Sequence, residues 1–350
     1  MNDKKLLCLI CGGQSPEHEI SLLSGWNIYQ VIDRNKYKVK VIGITKEGTW
    51  KLFEGDDFLQ NPGNPSTVCL SENGLSCFLY RNCSGVSLRI LESGIEYPVD
   101  IAFPVLHGEN GEDGTIQGFF QMLNLPYVGC DQKSSANCMD KAISKQLFIA
   151  NDLPVARSFT LLRNEDYNAI LSKILLELGL PLFVKPACTG SSIGVSKVKK
   201  EAELVAAIEN AFKYDCKILV EEAIEGREIE CAVLEQDNKL FCPRPGEIIP
   251  HDEFYSYEAK YLSETGASLK IPAELPEEQV AEVQELACKA FKVLDCRGMA
   301  RVDFFLQKDG KWILNEINTI PGFTKISLYP QLMIKAGISY KELIEILISG

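Results

Sequence analysis

Two stretches near the end of the chain, Arg301-Val-Asp-Phe-Phe-Leu-Gln307 and Lys311-Trp-Ile-Leu-Asn-Glu-Ile-Asn318, alternate apolar and polar residues, and Asp309-Gly310 lies between them. Asp-Gly between alternating runs signals a two-residue hairpin turn. Such a turn sets Asp303 directly opposite Glu316 and Arg301 opposite Asn318. All four then share one face, because side chains alternate along a strand. Like charges directly opposed destabilise a sheet, so this pairing calls for a compensating positive group. A divalent cation suits it, since two carboxylates and an amide oxygen are hard ligands of the kind Mg²⁺ takes, usually together with substrate phosphates. The plainer alternative is a solvated acidic face, and these residues alone leave both readings open.

The rest of the chain narrows the choice. With 350 residues it can bury large cores and hold two or three domains. A net charge of −12 argues against a general nucleic-acid or acidic-membrane surface, so any phosphate site must be a local basic pocket. The apolar run before Gly12-Gly13 is too short to span a membrane, and no small-residue cleavage site follows it, so the expected compartment is the cytoplasm. The 13 cysteines are odd in number and scattered, which does not read as a disulfide framework. Cys8-Leu-Ile-Cys11 lies inside an apolar strand, where its spacing points the two thiols to opposite faces. Buried, reduced thiols describe it better than a redox or metal site.

Strand and helix patterns alternate from the start: a buried strand over 4–11, a helix over 17–31, a strand over 37–45, and another over 100–106. That order predicts an α/β parallel sheet covered by helices, with ligands at the carboxyl ends of strands, where both glycine-rich turns sit. Residues 54–98 read as loops and small hairpins. A second unit follows, with helices over 140–150, 165–179 and 201–214 and strands over 157–162, 181–187 and 217–222. A third has strands over 228–235 and 239–248, a long polar loop over 251–270, a helix over 276–294, the hairpin, and two helices between 328 and 348. The predicted division is 1–139, 140–220 and 221–350, the last two α+β in character.

Several motifs can carry chemistry. Lys185 ends an apolar strand, and Gly190-Ser191-Ser192-Ile-Gly194 follows it. Backbone N–H groups of such a turn can wrap phosphate oxygens, although it is neither a Walker A loop nor GxGxxG. Glu221 ends another apolar strand. It can accept from an adenine amino group beside main-chain groups at Ala223 and Ile224, with Glu228 on ribose hydroxyls, or these acids are simply solvated. Glu17 opens a helix after the first glycine turn, either as an acid that complements the helix dipole or as the partner of a substrate ammonium. The polar loop 251–270 carries Tyr257-Glu-Ala-Lys260-Tyr261 and reads as a lid or as a surface loop, with Lys260 able to hold a carboxylate. His18, His107 and His251 are too far apart to suggest a metal triad, and no G-x-S-x-G elbow is present.

In this order the motifs resemble the ATP-grasp superfamily, and more closely its D-alanine–D-alanine ligases. The resemblance is carried by Gly12-Gly-Gln-Ser-Pro-Glu17-His-Glu-Ile-Ser21, His107-Gly-Glu-Asn-Gly-Glu-Asp-Gly-Thr-Ile-Gln117, Met139-Asp-Lys141 and Val184-Lys-Pro through Gly194. It continues through Tyr257–Tyr261, Arg301-Val-Asp303 and Asn315-Glu-Ile-Asn-Thr-Ile-Pro-Gly-Phe-Thr324, and so spans the chain. It implies an ATP-grasp fold of three domains, with the second and third sandwiching ATP. The implied reaction phosphorylates the carboxylate of one D-alanine and lets the amine of a second attack the acyl phosphate, for peptidoglycan synthesis.

By the same resemblance, Lys141 and Lys185 bind ATP phosphates under the loop carrying Ser191 and Ser192. Glu221, Ala223, Ile224 and Glu228 hold adenosine. Asp303, Glu316 and Asn318 bind two Mg²⁺, with Mn²⁺ as a substitute. Arg301 and the Gly322 N–H steady the acyl phosphate and the later oxyanion. Glu17 binds the first ammonium and joins Ser191 and Tyr261 in a hydrogen-bond chain that closes the lid. His107 lies at the substrate, and Lys260 and Ser327 hold the second carboxylate. Family members are commonly homodimers, and no nucleic-acid or membrane partner is implied.

Two positions bear on the second substrate. Tyr261 matches the dipeptide-forming pattern, whereas D-Ala–D-lactate ligases carry histidine there. Leu328 stands where D-Ala–D-Ser ligases of the vancomycin-resistance type tend to have arginine, which favours D-alanine. The long N-terminal domain still looks like the D-Ser group, so a D-Ala–D-Ser ligase is the nearest alternative. Lys325-Ile326 departs from the small-residue–His pair of some members. A nucleotide-binding protein without ligase activity is a second alternative, but it would be expected to lack one of Arg301, Asp303, Glu316 and Asn318. A nicotinamide oxidoreductase is disfavoured by the Gly-Gly-Gln-Ser turn, which lacks GxGxxG spacing.

Overall fold

The computed structural model describes residues 4–250 and 267–350. Lys5–Gly12 lies inside the first sheet, parallel to Tyr37–Ile44 on one side and to Ile101–Val105 on the other. The sheet is not wholly parallel as expected. Trp50–Phe53, Leu75–Asn82, Gly85–Ile90 and Glu96–Pro98 extend it to seven strands as an antiparallel meander. The small hairpins read within 54–98 are therefore sheet strands, because their exposed faces weakened the apolar pattern. Cys11 and Cys8 fall in separate apolar cores on the two faces of this sheet, as their spacing requires. Burial pushes the Cys11 thiol up to about 12 and raises Cys8 further.

Helix His18–Val31 covers one face of the sheet, and the last helix, Tyr340–Ser349, packs beside it. Leu22, Ile28, Leu343 and Leu347 thus belong to one core that joins the two ends of the chain. The second sheet has four antiparallel strands in the order Ser158–Leu162, Lys217–Glu222, Leu182–Pro186, Ser196–Val198. Helices Leu171–Leu178 and Leu204–Ala211 bury Ile174, Leu204, Ala207 and Ile208 in its core. Thr115–Leu123 and Gln132–Met139 are helices that the sequence reading did not assign.

The third sheet runs Ala267–Lys270, Gly246–Pro250, Arg227–Gln236, Met299–Leu306, Trp312–Asn318, all antiparallel, with Lys239–Phe241 paired to the far end of Arg227–Gln236. The single strand expected over 239–248 is broken by Pro243 and Pro245, which cannot donate to a ladder. Residues 267–270 form a strand, so the polar loop is shorter than 251–270, and its remainder lies outside the described residues.

The hairpin departs from expectation at two points that cancel. Gln307 N–H donates to Lys311 O at 2.9 Å and Gly310 N–H to Gln307 O at 3.0 Å, giving a three-residue loop. Gly310 takes φ +88, the left-handed position such loops require. Leu306 then pairs with Trp312 and Phe304 with Leu314, one residue off the expected register. An extra residue, Asn315, forms a bulge between Leu314 and Glu316, and beyond it Asp303 faces Glu316 and Arg301 faces Asn318 as expected.

Candidate active site

The second and third sheets face each other across a cavity of about 1950 Å³. Lys141, Lys185, Ser191 and Ser192 line it from the second unit, and Glu221, Ala223, Ile224 and Glu228 line it beside them. Arg301, Asp303 and Glu316 line it from the hairpin, and Gly322, Ser327 and Leu328 from the segment that follows. Lys260, Tyr261 and His251 lie outside the described residues.

On the third sheet, Glu230, Asp303 and Glu316 stand in register on three neighbouring strands, with Ala232, Arg301 and Asn318 in the next row. Arg301 makes a bidentate pair with Asp303, Nε–Oδ1 and Nη2–Oδ2 both 2.8 Å, and its Nε also lies 3.2 Å from Glu230 Oε2. Lys141 Nζ lies 3.7 Å from Glu316 Oε2. Without ligands, cationic side chains thus offset the opposed carboxylates. Asn318 Oδ1 is buried and, among the described residues, has no hydrogen-bond partner. A buried amide oxygen left open beside two carboxylates fits a hard cation, since an unpaired buried acceptor is otherwise costly. Glu230 does not extend this donor set. It faces the guanidinium, and among the described residues no three His, Cys, Asp or Glu side chains close on one cation position.

Glu221 is buried between two lysines, with Lys185 Nζ 2.5 Å from Oε2 and Lys145 Nζ 3.0 Å from Oε1. Burial alone would raise its pKa, but Lys185 and Lys145 together hold the carboxyl below the usual range. Burial lowers the pKa of Lys145 despite Glu221. Lys145 lies one helical turn beyond Lys141 in Lys141–Ala150, a spacing that puts both on one side of the helix.

Two loops converge beside the turn 190–194. Glu17 is buried and accepts from Ser191 Oγ at 2.5 Å, making the expected first link of the Glu17–Ser191–Tyr261 chain. Gly108 packs so closely that a Cβ there would lie 2.6 Å from Ser15 Oγ and 3.1 Å from Glu17 Oε2, and its φ is +74. Ser191 and Ser192 also adopt left-handed φ, 52 and 60, which keeps the turn tightly curled. Glu112 accepts from Gly108 N–H at 2.7 Å, and burial, then the charge of Glu17, push its pKa up to about 8.

His107 does not line the cavity. It is buried, with Nδ1 3.0 Å from Ile320 O and Nε2 3.3 Å from Ser24 Oγ. Both ring nitrogens are engaged within the protein, so the expected substrate contact is replaced by an internal one. Burial holds its pKa low. Ser327 Oγ accepts from Thr324 N–H at 3.0 Å and lies 2.8 Å from Thr324 Oγ1. Leu328 is buried against Gly246. The sequence reading gave no role to Glu230, Lys145, Glu112 or Ser24. Alternation two residues past Glu228 and the helical spacing from Lys141 could have marked the first two. Ser24 and Glu112 carry no comparable signal.

Family models described as D-ala D-ala ligase N-terminus and C-terminus match residues 6–130 and 147–349. D-alanine–D-alanine ligase A of Chromobacterium violaceum is 49% identical over 343 residues, covering 97% of this chain and 93% of that protein. The D-alanine–D-alanine ligase of Shouchella clausii is 47% identical, covering 99% and 94%. Among solved structures, the D-alanine–D-alanine ligase of Coxiella burnetii superposes with a TM-score of 0.85 at 36% identity, covering 99% and 93% of the two chains. The VanG D-Ala:D-Ser ligase of Enterococcus faecalis superposes at 0.86 and 38%, covering 99% of each. The fold is the ATP-grasp fold of these ligases. The chain belongs to the D-alanine–D-alanine ligase family.

Proposed function

We propose that this protein is an ATP-dependent ligase that joins two D-alanines through a D-alanyl phosphate, giving D-Ala-D-Ala, ADP and phosphate for peptidoglycan synthesis. The observation that carries the reading is the meeting, on one cavity, of two lysines, the Asp303–Glu316 pair and Arg301 in a member of this family. Phosphoryl transfer needs positioning and charge neutralisation more than covalent help, and these groups supply both.

Lys141 Nζ now donates to Thr189 O at 2.7 Å and Lys185 is paired with Glu221. In the reading, both turn to the ATP phosphates beneath Ser191 and Ser192. Glu221, the main chain at Ala223 and Ile224, and Glu228 take adenosine. Asp303, Glu316 and Asn318 would hold two Mg²⁺, replaceable by Mn²⁺, which neutralise phosphate oxygens when bound. Glu17 anchors the first ammonium, so that this D-alanine's carboxylate faces the γ-phosphate. Arg301 steadies the acyl phosphate. Lys260 and Ser327 hold the second D-alanine's carboxylate while its amine attacks the carbonyl carbon. The oxyanion is met by Arg301 and the Gly322 N–H, and its collapse expels phosphate. Tyr261 closes the chain through Ser191 to Glu17 and keeps water from the acyl phosphate.

The reading includes the division at 1–139, 140–220 and 221–350, a homodimer, and a cytoplasmic location. Among the described residues no helix is long and apolar enough to cross a membrane. D-serine as second substrate is not favoured. Leucine stands at 328, and the curated relatives at 45–49% identity are named D-alanine–D-alanine ligases. The test is phosphate release with ATP, Mg²⁺ and D-alanine, then with added D-serine or D-lactate, with products identified by mass. D-Ala-D-Ala as main product is expected. Mostly D-Ala-D-Ser would keep the chemistry and overturn the reading of Leu328, and no turnover would overturn the ligase reading.

A further inference from the structure

Beyond the hairpin, residues 319–327 pass between the first and third units, and backbone groups on both sides of Gly322 are held there. Ile320 N–H goes to the Glu112 carboxylate. Pro321 has no N–H. Phe323 N–H donates to Ser24 Oγ at 3.1 Å and Thr324 N–H to Ser327 Oγ at 3.0 Å. Among the described residues none accepts from the Gly322 N–H, and Gly322 lines the cavity. The carbonyls are held as well. Ile320 O faces His107 Nδ1 at 3.0 Å, and Phe323 O accepts from Asn27 Nδ2 at 3.2 Å and Tyr340 Oη at 2.9 Å.

We propose that Ser24 is a positioning residue for acyl transfer, which with His107 fixes the backbone on both sides of Gly322 so that its N–H is held in place for the developing oxyanion. The inference rests on the ligase reading above. Ser24 is fully buried within helix His18–Val31, and it does not line the cavity. Its hydroxyl oxygen accepts from Phe323 N–H and lies 3.3 Å from His107 Nε2. Ile320 O can only accept, so His107 Nδ1 carries the ring proton and donates to it, and Nε2 of the neutral ring is left to accept from the Ser24 hydroxyl. One chain of hydrogen bonds thereby grips the backbone on both sides of Gly322, through two residues of the N-terminal unit. An oxyanion donor acts only when its position is set before the charge forms, and a hydroxyl that both accepts and donates is the smallest group able to close this link.

The test is Ser24→Ala beside Tyr340→Phe, which removes only a carbonyl-side bond. Steady-state turnover, ATP affinity, melting temperature and the affinity of a dipeptide phosphinate, whose tetrahedral oxygens stand where the oxyanion forms, are measured on each. A wholly lost oxyanion donor costs about 10²–10³ in kcat, so a misplaced one should cost Ser24→Ala roughly 10- to 100-fold. Phosphinate affinity should fall in step, with the KM for ATP unchanged and a smaller loss in Tyr340→Phe. Wild-type turnover with a Ser24→Ala kcat within about twofold of it would overturn the inference while leaving the ligase reading intact. So would a variant that loses ATP affinity in proportion to kcat, since that marks general damage to the fold. No turnover of D-alanine by the wild-type chain would overturn the ligase reading and the inference with it.

Discussion

At the end of the cavity proposed to take phosphate, charged side chains hold one another: Lys185 and Lys145 on Glu221, Lys141 near Glu316, Arg301 between Asp303 and Glu230. At the end proposed for acyl transfer, the backbone of 320–324 is held mainly by neutral hydrogen bonds from Ser24, His107, Asn27, Tyr340 and Ser327. The difference follows from what each end must do. A buried charge needs a partner at all times, so groups that exchange one partner for an incoming phosphate or cation are best stored as ion pairs. A donor that must not move between ground and transition state is better taken from a backbone held by neutral bonds, which no charged ligand competes for.

The largest effect that would sharpen this contrast is expected from Glu316→Gln. It removes one of two carboxylates at the exchange end and should cut Mg²⁺·ATP turnover by about 10³-fold or more while the melting temperature holds. Phosphate release and a thermal melt check it, and retained activity would break the assignment of the hairpin face.

Lys145→Met comes next. It leaves Glu221 with Lys185 alone, so the ion pair cannot release Lys185 to phosphate without stranding a buried carboxylate. Stability should fall by about 3 kcal/mol, the low end for breaking a buried pair, with a several-fold rise in the KM for ATP and little change in kcat. Chemical denaturation and ATP titration of turnover check it. A loss confined to kcat would show that Lys145 belongs to the chemistry rather than to the ionic store.

The smallest effect concerns Glu112, which stands between the two regimes as a carboxyl that accepts backbone donors yet lies beside Glu17. Its pKa, pushed up to about 8 from an ordinary 4.5, means the native state binds more protons than the unfolded chain between those values. Its contribution to stability is therefore full below about pH 4.5 and is lost as pH rises through 8. Glu112→Gln keeps an acceptor oxygen without the charge, so its melting temperature should fall less than the wild type's between pH 6 and about 9. Parallel slopes in melts across that range would show that Glu112 does not titrate in the fold.

Much of the phosphate end was legible because it follows from local rules. Alternation put Asp303, Glu316, Arg301 and Asn318 on one face, and the glycine-serine turn after the strand that ends at Lys185 stood out as a candidate phosphate loop. The expected facing pairs emerged although the turn was read one residue too short, because the bulge at Asn315 restores the register before Glu316. Turn length and bulge position depend on how Trp312 and Leu314 settle into the core beside Phe304 and Leu306, which no local pattern states. The acyl end was less legible for the same kind of reason. Ser24 is 299 residues from Phe323 and His107 is 213 from Ile320, and only the packing of the first unit against the third brings them together. His107 was expected at the substrate from the family resemblance, whereas its ring nitrogens face Ile320 O and Ser24 Oγ. The sequence by itself placed Arg301, Asp303, Glu316 and Asn318 on one face, since alternation is local, and through the resemblance of its motifs to a known family it pointed to the ATP-grasp class. The tertiary structure decided which charges pair, which backbone donor stays open and what holds it there, because those depend on contacts between segments remote in the chain.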